Sequence, residues 1–258
     1  MLNELFSMKG KVCVITGGSR GLGYYMARAF LGAGASRVYI TARKADACNA
    51  AAQELSQYGE CISLPGDISS MEEIQSLVDT LSEKEDSIDV LVNNAGVGWM
   101  ASLDEFPEMG WDKVMNLNVK APFFLTKALM PLLKQGATAT NTAAVINIGS
   151  IAGILARTDT LSYAPSKAAI HQVTRNLAVL LADDHIRVNA IAPGRFFTKM
   201  TEYASDNKAL YEAEIKSIPL HRWGEEKDIS GVAILLASPA GAFITGQIIP
   251  VDGGTTLV

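Results

Sequence analysis

The sequence predicts an α/β protein built on a parallel sheet, and three observations carry that expectation. Short continuous apolar runs have the length of strands buried on both faces, amphipathic helical stretches alternate with them, and glycine or polar punctuation closes each run. The first run, Lys11 to Thr16, leads through Thr16-Gly-Gly-Ser-Arg-Gly-Leu-Gly23 into a helical pattern over Tyr24 to Ala33. That order puts a helix N-terminus, with its unpaired N–H groups, beside bare glycine backbone, which is how a pyrophosphate is held. A tight structural turn is the competing reading.

Arg37 to Thr41 is the second strand, completing a βαβ unit whose crossover is expected to be right-handed. A site selecting NAD carries an acidic residue about 20 positions past the glycines. This chain has Ala42-Arg43-Lys44 instead, and Asp46 comes too late, on the next helix. Arg43, with Arg20 from the glycine loop, can make charge-assisted bonds to a 2′-phosphate, which selects NADPH. A helix over Asp46 to Gln57, a strand over Cys61 to Leu64 and a helix over Met71 to Lys84 follow. Asp67 falls at a strand's carboxyl end, placed either to contact an adenine amino group or to cap the helix beginning near Ser70. Ile88 to Val92 is the next strand, ending in Asn93-Asn94-Ala95-Gly96.

Helical periodicity runs from Trp111 to Gln135 and is interrupted by Pro122. Asn118 is unfavourable there by propensity, and Pro122 removes a backbone donor, so carbonyls near 118 are free to hold water. Ala143 to Ile148 is a strand ending at Gly149-Ser150, Ser162 to Ala182 a helix, and Ile186 to Ala192 a strand closed by Pro193-Gly194. From Arg195 to Trp223 periodicity is poor apart from a helix near Asn207 to Lys216, as in a binding lid. Asp228 to Ala237 is an apolar helix and Gln247 to Val251 the last strand. No linker or composition shift divides residues 1–258, so one domain is expected.

Within the helix from Ser162, Tyr163 and Lys167 lie four apart and share a face. Ser162 is placed to cap it, and Pro165 falls in the first turn, where a missing N–H costs little. A neighbouring ammonium favours the phenolate, so Lys167 is expected to lower the pKa of Tyr163. A surface Tyr/Lys pair is the plain alternative.

Composition narrows the partners. Net charge is −5 and the 22 basic residues are scattered, which argues against nucleic acid or an anionic membrane as main partner. Cys13, Cys48 and Cys61 have no C-x-x-C spacing and read as reduced packing residues. His171, His185 and His221 lack ligand spacing, so no metal centre is expected. The start lacks the pattern of a secretory leader, and no run reaches the roughly 18 apolar residues of a membrane span, so the expected address is cytoplasmic.

Taken together, the chain resembles the single-domain short-chain dehydrogenase/reductases from about Lys9 to Gly254. The T-G-x-x-x-G-x-G pattern falls on Thr16 to Gly23, N-N-A-G on Asn93 to Gly96, the Asn, Ser, Tyr-x-x-x-Lys set on Asn118, Ser150, Tyr163 and Lys167, and P-G on Pro193-Gly194. Bacterial β-ketoacyl reductases of the rhamnolipid type are the nearest in flavour, through Ala42-Arg43, Gly110-Trp111, Val114 to Val119 and Ile191 to Phe196. The resemblance implies a Rossmann-type, doubly wound, seven-stranded parallel sheet with helices on both faces. It implies reversible hydride transfer at NADPH/NADP+, with Tyr163 as general acid, Ser150 bonding the substrate oxygen, Lys167 binding the ribose hydroxyls and Asn118 holding a relay water. Cofactor contacts are implied at Gly17, Ser19, Arg20, Gly21, Leu22, Gly23, Arg43, Asp67, Ile68, Asn94, Ala95, Gly96, Pro193, Gly194, Phe196 and Thr198.

For the substrate, Trp99, Leu155, Phe197 and Met200 suggest an uncharged, apolar carbonyl compound or a 3-oxoacyl group, while Arg157 and Arg195 could instead meet an acidic one. The family often forms homotetramers, or dimers, through its long helices. Two readings compete with an NADPH-dependent carbonyl reductase: an NAD-dependent alcohol or dihydrodiol dehydrogenase, and a non-catalytic NADPH-binding sensor.

Overall fold

Each apolar run becomes a strand. In the computed structural model, which describes residues 2–198, 201 and 207–258, the strands are β1 (Val12–Thr16), β2 (Arg37–Thr41), β3 (Cys61–Ser63), β4 (Val90–Asn93), β5 (Ala143–Ile148), β6 (Ile186–Pro193) and β7 (Ile248–Val251). They pair in parallel in the order β3-β2-β1-β4-β5-β6-β7. The order reverses between β1 and β4, and the crevice outside the carboxyl ends at such a reversal is where open α/β sheets bind ligands. The doubly wound, Rossmann-type sheet expected from the sequence is the sheet observed.

Helices cover both faces, and side-chain alternation along the strands explains how. Cys13 and Ile15 point to one core with Met26 and Phe30 of α2 (Gly21–Gly32), Leu55 of α3 (Ala45–Leu55) and Ile229 of α9 (Glu226–Ala237). Val14, between them, points to the other, with Ile74 of α4 (Met71–Lys84), Leu125 of α6 (Ala121–Gln135) and Leu177 of α7 (Tyr163–Leu180). Among the described residues the other α-helices are α1 (Leu2–Leu5), α5 (Glu108–Met115) and α8 (Lys208–Ser217). Among the described residues no helix is long and apolar enough to cross a membrane.

Three details differ from the sequence expectation. Helix α2 begins at Gly21 rather than Tyr24, because the end of the glycine loop is already the first helical turn. Pro122 does not break the long helix: residues Asn116–Lys120 form a π turn, and the proline falls at the second position of α6. Ser162 stands at the cap position of α7 but its hydroxyl makes no capping bond and is buried without a partner among the described residues. Its backbone there is already αR, which turns the side chain away from the N–H groups a cap serves.

A buried polar chain ties the two central helices across the sheet end. Thr126 Oγ1 donates to Pro122 O at 2.7 Å and accepts from Asn93 Nδ2 at 3.1 Å. Asn93 Nδ2 also reaches Asn147 Oδ1 at 2.9 Å, and Asn147 Nδ2 reaches Thr174 Oγ1 on α7 at 2.9 Å.

Candidate active site

The glycine loop after β1 is closed by the turn after β4. Thr16 Oγ1 accepts from the N–H groups of Asn94 and Ala95, each at 3.0 Å, and Asn94 Nδ2 donates to Thr16 O at 2.8 Å and Gly17 O at 3.1 Å. This leaves no room for a side chain at Gly17 or Gly23. A Cβ at Gly23 would lie 2.5 Å from Asn94 Nδ2 and from Gly17 O, and one at Gly17, whose φ of +67° already favours glycine, 2.9 Å from Asn94 Nδ2. Thr198 approaches the loop from the lid side, its methyl 3.5 Å from where a Cβ at Gly21 would stand.

Beside the loop, Arg20 and Arg43 are exposed, and neither makes an ion pair among the described residues. With no acid at the end of β2, this pair suits a phosphate better than a ribose hydroxyl. The cradle that added Cβ atoms would fill, and the two cations at its rim, fit NADPH. Asp67 does not cap α4. Ser70 does, its Oγ accepting from Glu73 N, while the Asp67 carboxylate takes the N–H and hydroxyl of Ser69 at 3.1 and 2.7 Å. Ile68 beside it is buried.

The chemical groups gather at the start of α7. Ser150 heads a 3₁₀ turn after β5, its Oγ accepting from Ala152 N at 3.1 Å and standing near enough to the Tyr163 hydroxyl to favour the phenolate. Lys167, buried one turn below Tyr163, donates from Nζ to Ile148 O at 2.7 Å and lies 5.4 Å from the centre of the tyrosine ring. Burial destabilises its ammonium and brings its pKa down to about 8.

Tyr163 moves in the direction opposite to expectation. Burial pushes the phenol up, and what opposes that is the Ser150 hydrogen bond and the positive charge of Arg195, not Lys167. The lysine's ammonium is drawn toward the carbonyl of Ile148.

Asn118 lies in the π turn, and its side chain is fully engaged. Its Oδ1 accepts from Val97 N and its Nδ2 donates to Val97 O, both at 2.9 Å, with a further bond to Ser166 Oγ at 3.0 Å. Ser166 Oγ in turn donates to Tyr163 O at 2.6 Å, so the loop after β4 is pinned to α7. Pro122 has no N–H to offer the main-chain carbonyl four residues before it, that of Asn118.

The lid is held by packing. Phe197, Tyr211 and Trp223 have ring centres 4.9 to 6.1 Å apart, Phe196 is buried against Gly224, and Arg195 pairs with Glu214 on α8 at 3.0 Å. Gly194 is fastened to the end of β7 through its N–H to Val251 O at 2.9 Å. Of the residues expected at the substrate, Leu155 is half-buried, and Phe197 is exposed on the outside of the aromatic cluster. Trp99 lies flat on Gly110 with Lys113 over its ring at 5.4 Å. Met200 lies outside the described residues. A cleft of about 480 Å³ between the lid and β7 is lined by Arg195, Phe196, Leu220, Arg222 and Asp252, and by none of Ser150, Tyr163 and Lys167. Thr16, which fastens the loop to the turn, is absent from the residues expected at the site, although its place directly before the glycines is the available signal.

Known proteins share this arrangement. Residues 17–256 match the family model described as enoyl-(acyl carrier protein) reductase. The rhamnolipids biosynthesis 3-oxoacyl-(acyl-carrier-protein) reductase of Pseudomonas aeruginosa is 47% identical over 254 residues, 98% of this chain and 99% of the relative. The 5-keto-D-gluconate 5-reductase of Escherichia coli K12 is 35% identical over 254 residues, 98% of each. Among solved structures, the Pseudomonas aeruginosa RhlG/NADP active-site complex superposes with a TM-score of 0.96 at 47% identity, over 98% of this chain and 99% of that one. The gluconate 5-dehydrogenase of Burkholderia cenocepacia J2315 in complex with NADP and tartrate does so at 0.92 and 30%, over all of both chains. Likeness of this extent, over the same loop, turn and helix that build the site, means that the chain belongs to the short-chain dehydrogenase/reductase family.

Proposed function

We propose that this protein is an NADPH-dependent reductase that converts a ketone to a secondary alcohol, on an apolar carbonyl or 3-oxoacyl substrate. The observation that carries this reading is the convergence of Ser150, Tyr163 and Lys167 beyond the carboxyl end of the interior strand β5, beside a glycine cradle rimmed by Arg20 and Arg43. NADPH bound there supplies the hydride. Ser150 orients the substrate oxygen by hydrogen bonding, and Tyr163 gives its proton to that oxygen as negative charge develops. A phenol held up by burial stays protonated at neutral pH, which suits the acid of a reduction. Lys167 binds the ribose hydroxyls, and water held near Asn118 returns the proton. Arg43 and Arg20 hold the 2′-phosphate, Asp67 and Ile68 flank the adenine, and Phe196 and Thr198 meet the carboxamide.

The test is NADPH oxidation over a panel of ketones, diketones, ketoesters and 3-oxoacyl thioesters, with NADH in parallel. Turnover is expected with NADPH and fastest on apolar or 3-oxoacyl members; no oxidation with any member returns the chain to a nucleotide-binding role without chemistry. Arg43→Asp is expected to reverse the cofactor preference, lowering kcat/KM with NADPH by about a hundredfold, the size of two lost charge-assisted bonds. Greater efficiency with NADH in the unaltered protein would discard the phosphate assignment.

One observation favours a second substrate class. Arg195 directs positive charge at Tyr163, and relatives of about one-third identity act on keto and hydroxy sugar acids by their names. A 5-keto sugar acid therefore belongs in the panel, and its preference over every apolar ketone would select that class. A homotetramer, or dimer, in the cytoplasm completes the proposal. It is supported by Val179 and Leu180 standing exposed at the end of α7, and light scattering reads it directly.

A further inference from the structure

His171 has no part in the chemistry just proposed, yet it is built into the centre of it. It lies one turn beyond Lys167 on α7, buried, with Nε2 lacking any hydrogen-bond partner among the described residues. A dry, unpaired imidazole nitrogen is costly, and a leucine of similar size would fill the space without it. What the ring touches is the backbone of Gly149. A Cβ at Gly149 would land on His171 Nε2 and 2.7 Å from its Cδ2. Gly149 has no left-handed φ, so glycine is required there by the imidazole and not by the backbone.

Gly149 joins two residues that the site uses. Ile148 O, before it, accepts from Lys167 Nζ at 2.7 Å, and Ser150, after it, carries the hydroxyl that acts on Tyr163. From the other side Gly149 N donates to Ile191 O at 2.7 Å. The turn is therefore clamped between β6 and the flat edge of one ring.

We infer that His171 is a positioning residue for the reduction: its ring edge, wedged beneath Gly149, sets the height from which Ser150 reaches Tyr163 and the substrate oxygen. A planar, stiff ring with two side-chain torsions fixes that height better than an aliphatic chain with softer rotamers. The ring is neutral in this role, since burial and the charges of Lys167 and Arg175 hold its pKa down at about 4. The inference rests on the assignment of Ser150 made above.

The experiment is a cycle of Ser150→Ala, His171→Ala, His171→Leu and Ser150→Ala/His171→Ala. It reads kcat on the best carbonyl of the panel, NADPH Kd by fluorescence, and the thermal midpoint. Both His171 variants are expected to lose about tenfold in kcat with NADPH Kd within about twofold, and the double variant to be no slower than Ser150→Ala. If His171→Ala does not fold, His171→Leu, which keeps the buried volume, carries the test. Wild-type kcat in either folded variant overturns the inference, as does a loss on the Ser150→Ala background equal to that on the wild type, the sign of a merely structural role. Ser150→Ala alone reads the underlying assignment: wild-type turnover there removes the role of Ser150 and the inference with it. A slow Ser150→Ala with unaffected His171 variants removes the inference alone.

Discussion

The two halves of the site are built by different means. At the glycine loop the shape is made by main chain: bare glycines, two N–H groups on Thr16 Oγ1 and one asparagine amide, with exposed charge only at the rim. At the start of α7 it is made by side chains taken out of water, and burial moves all three of Tyr163, Lys167 and His171 from their ordinary pKa values. Backbone binds a nucleotide without titrating, so the first region should be sensitive to added atoms and indifferent to pH. The second should respond to pH, because desolvated groups in a low-dielectric setting respond to charge.

The sharpest division comes from Tyr163→Phe. The phenyl ring fills the same space but has no proton to give, so kcat should fall by about a thousandfold or more while NADPH Kd stays within about twofold. Stopped-flow turnover and NADPH fluorescence separate the two numbers. Near-normal turnover would remove Tyr163 as the acid.

Acid stability probes the same region without a substrate. The folded protein holds His171 neutral down to about pH 4, whereas the unfolded chain takes up that proton below about 6.5. Protons then favour the unfolded state, so this residue's contribution is lost as pH falls from about 6.5 to about 4 and changes little outside that window. Binding one proton more tightly across that window favours the unfolded chain by at most about 3 kcal/mol. Urea unfolding at pH 7 and pH 4.5, compared between the wild type and His171→Leu, should show a shallower acid loss in the variant. Equal slopes would place the acid sensitivity elsewhere.

At the glycine loop the matching change is Gly23→Ala. Its methyl meets Asn94 Nδ2 and the carbonyl of Gly17, both fixed, so the loop must shift at a cost of about 1–3 kcal/mol. NADPH Kd is expected to rise about tenfold with no change in the pH profile of kcat, and a profile that moves with it would mean that the two halves are coupled.

What can be read in advance follows the same division. The strands, the glycine loop and the Tyr163/Lys167 spacing are local patterns set by periodicity or by residues adjacent in sequence, and each stands where the sequence puts it. Contacts between distant segments leave no such trace. Gly149 and His171 meet because β5 and α7 pack, and an isolated histidine in a helix announces only that it is not a ligand. The direction of the Tyr163 shift is set by burial, against the opposing charge of Arg195 after the next strand, so a rule about neighbouring lysines misses it. Asn118 is intermediate: Pro122 four residues on marks the place, while the π turn and the clamp on Val97 need the fold.

The lid offers the smallest effect and separates packing from chemistry. Trp223 is buried in the cluster with Phe197 and Tyr211, yet its Nε1–H has no partner among the described residues, so two opposing contributions meet in one side chain. Trp223→Phe loses ring volume, which destabilises, and removes an unpaired buried donor, whose dry state costs about 1–3 kcal/mol. The two nearly offset, and urea unfolding should register a change within about 1 kcal/mol, with the pH profile of kcat unmoved. A loss of several kcal/mol would show that ring volume alone holds the lid. A displaced pH profile would show instead that the lid sets the charge of Arg195 over Tyr163, making it part of the titrating region after all.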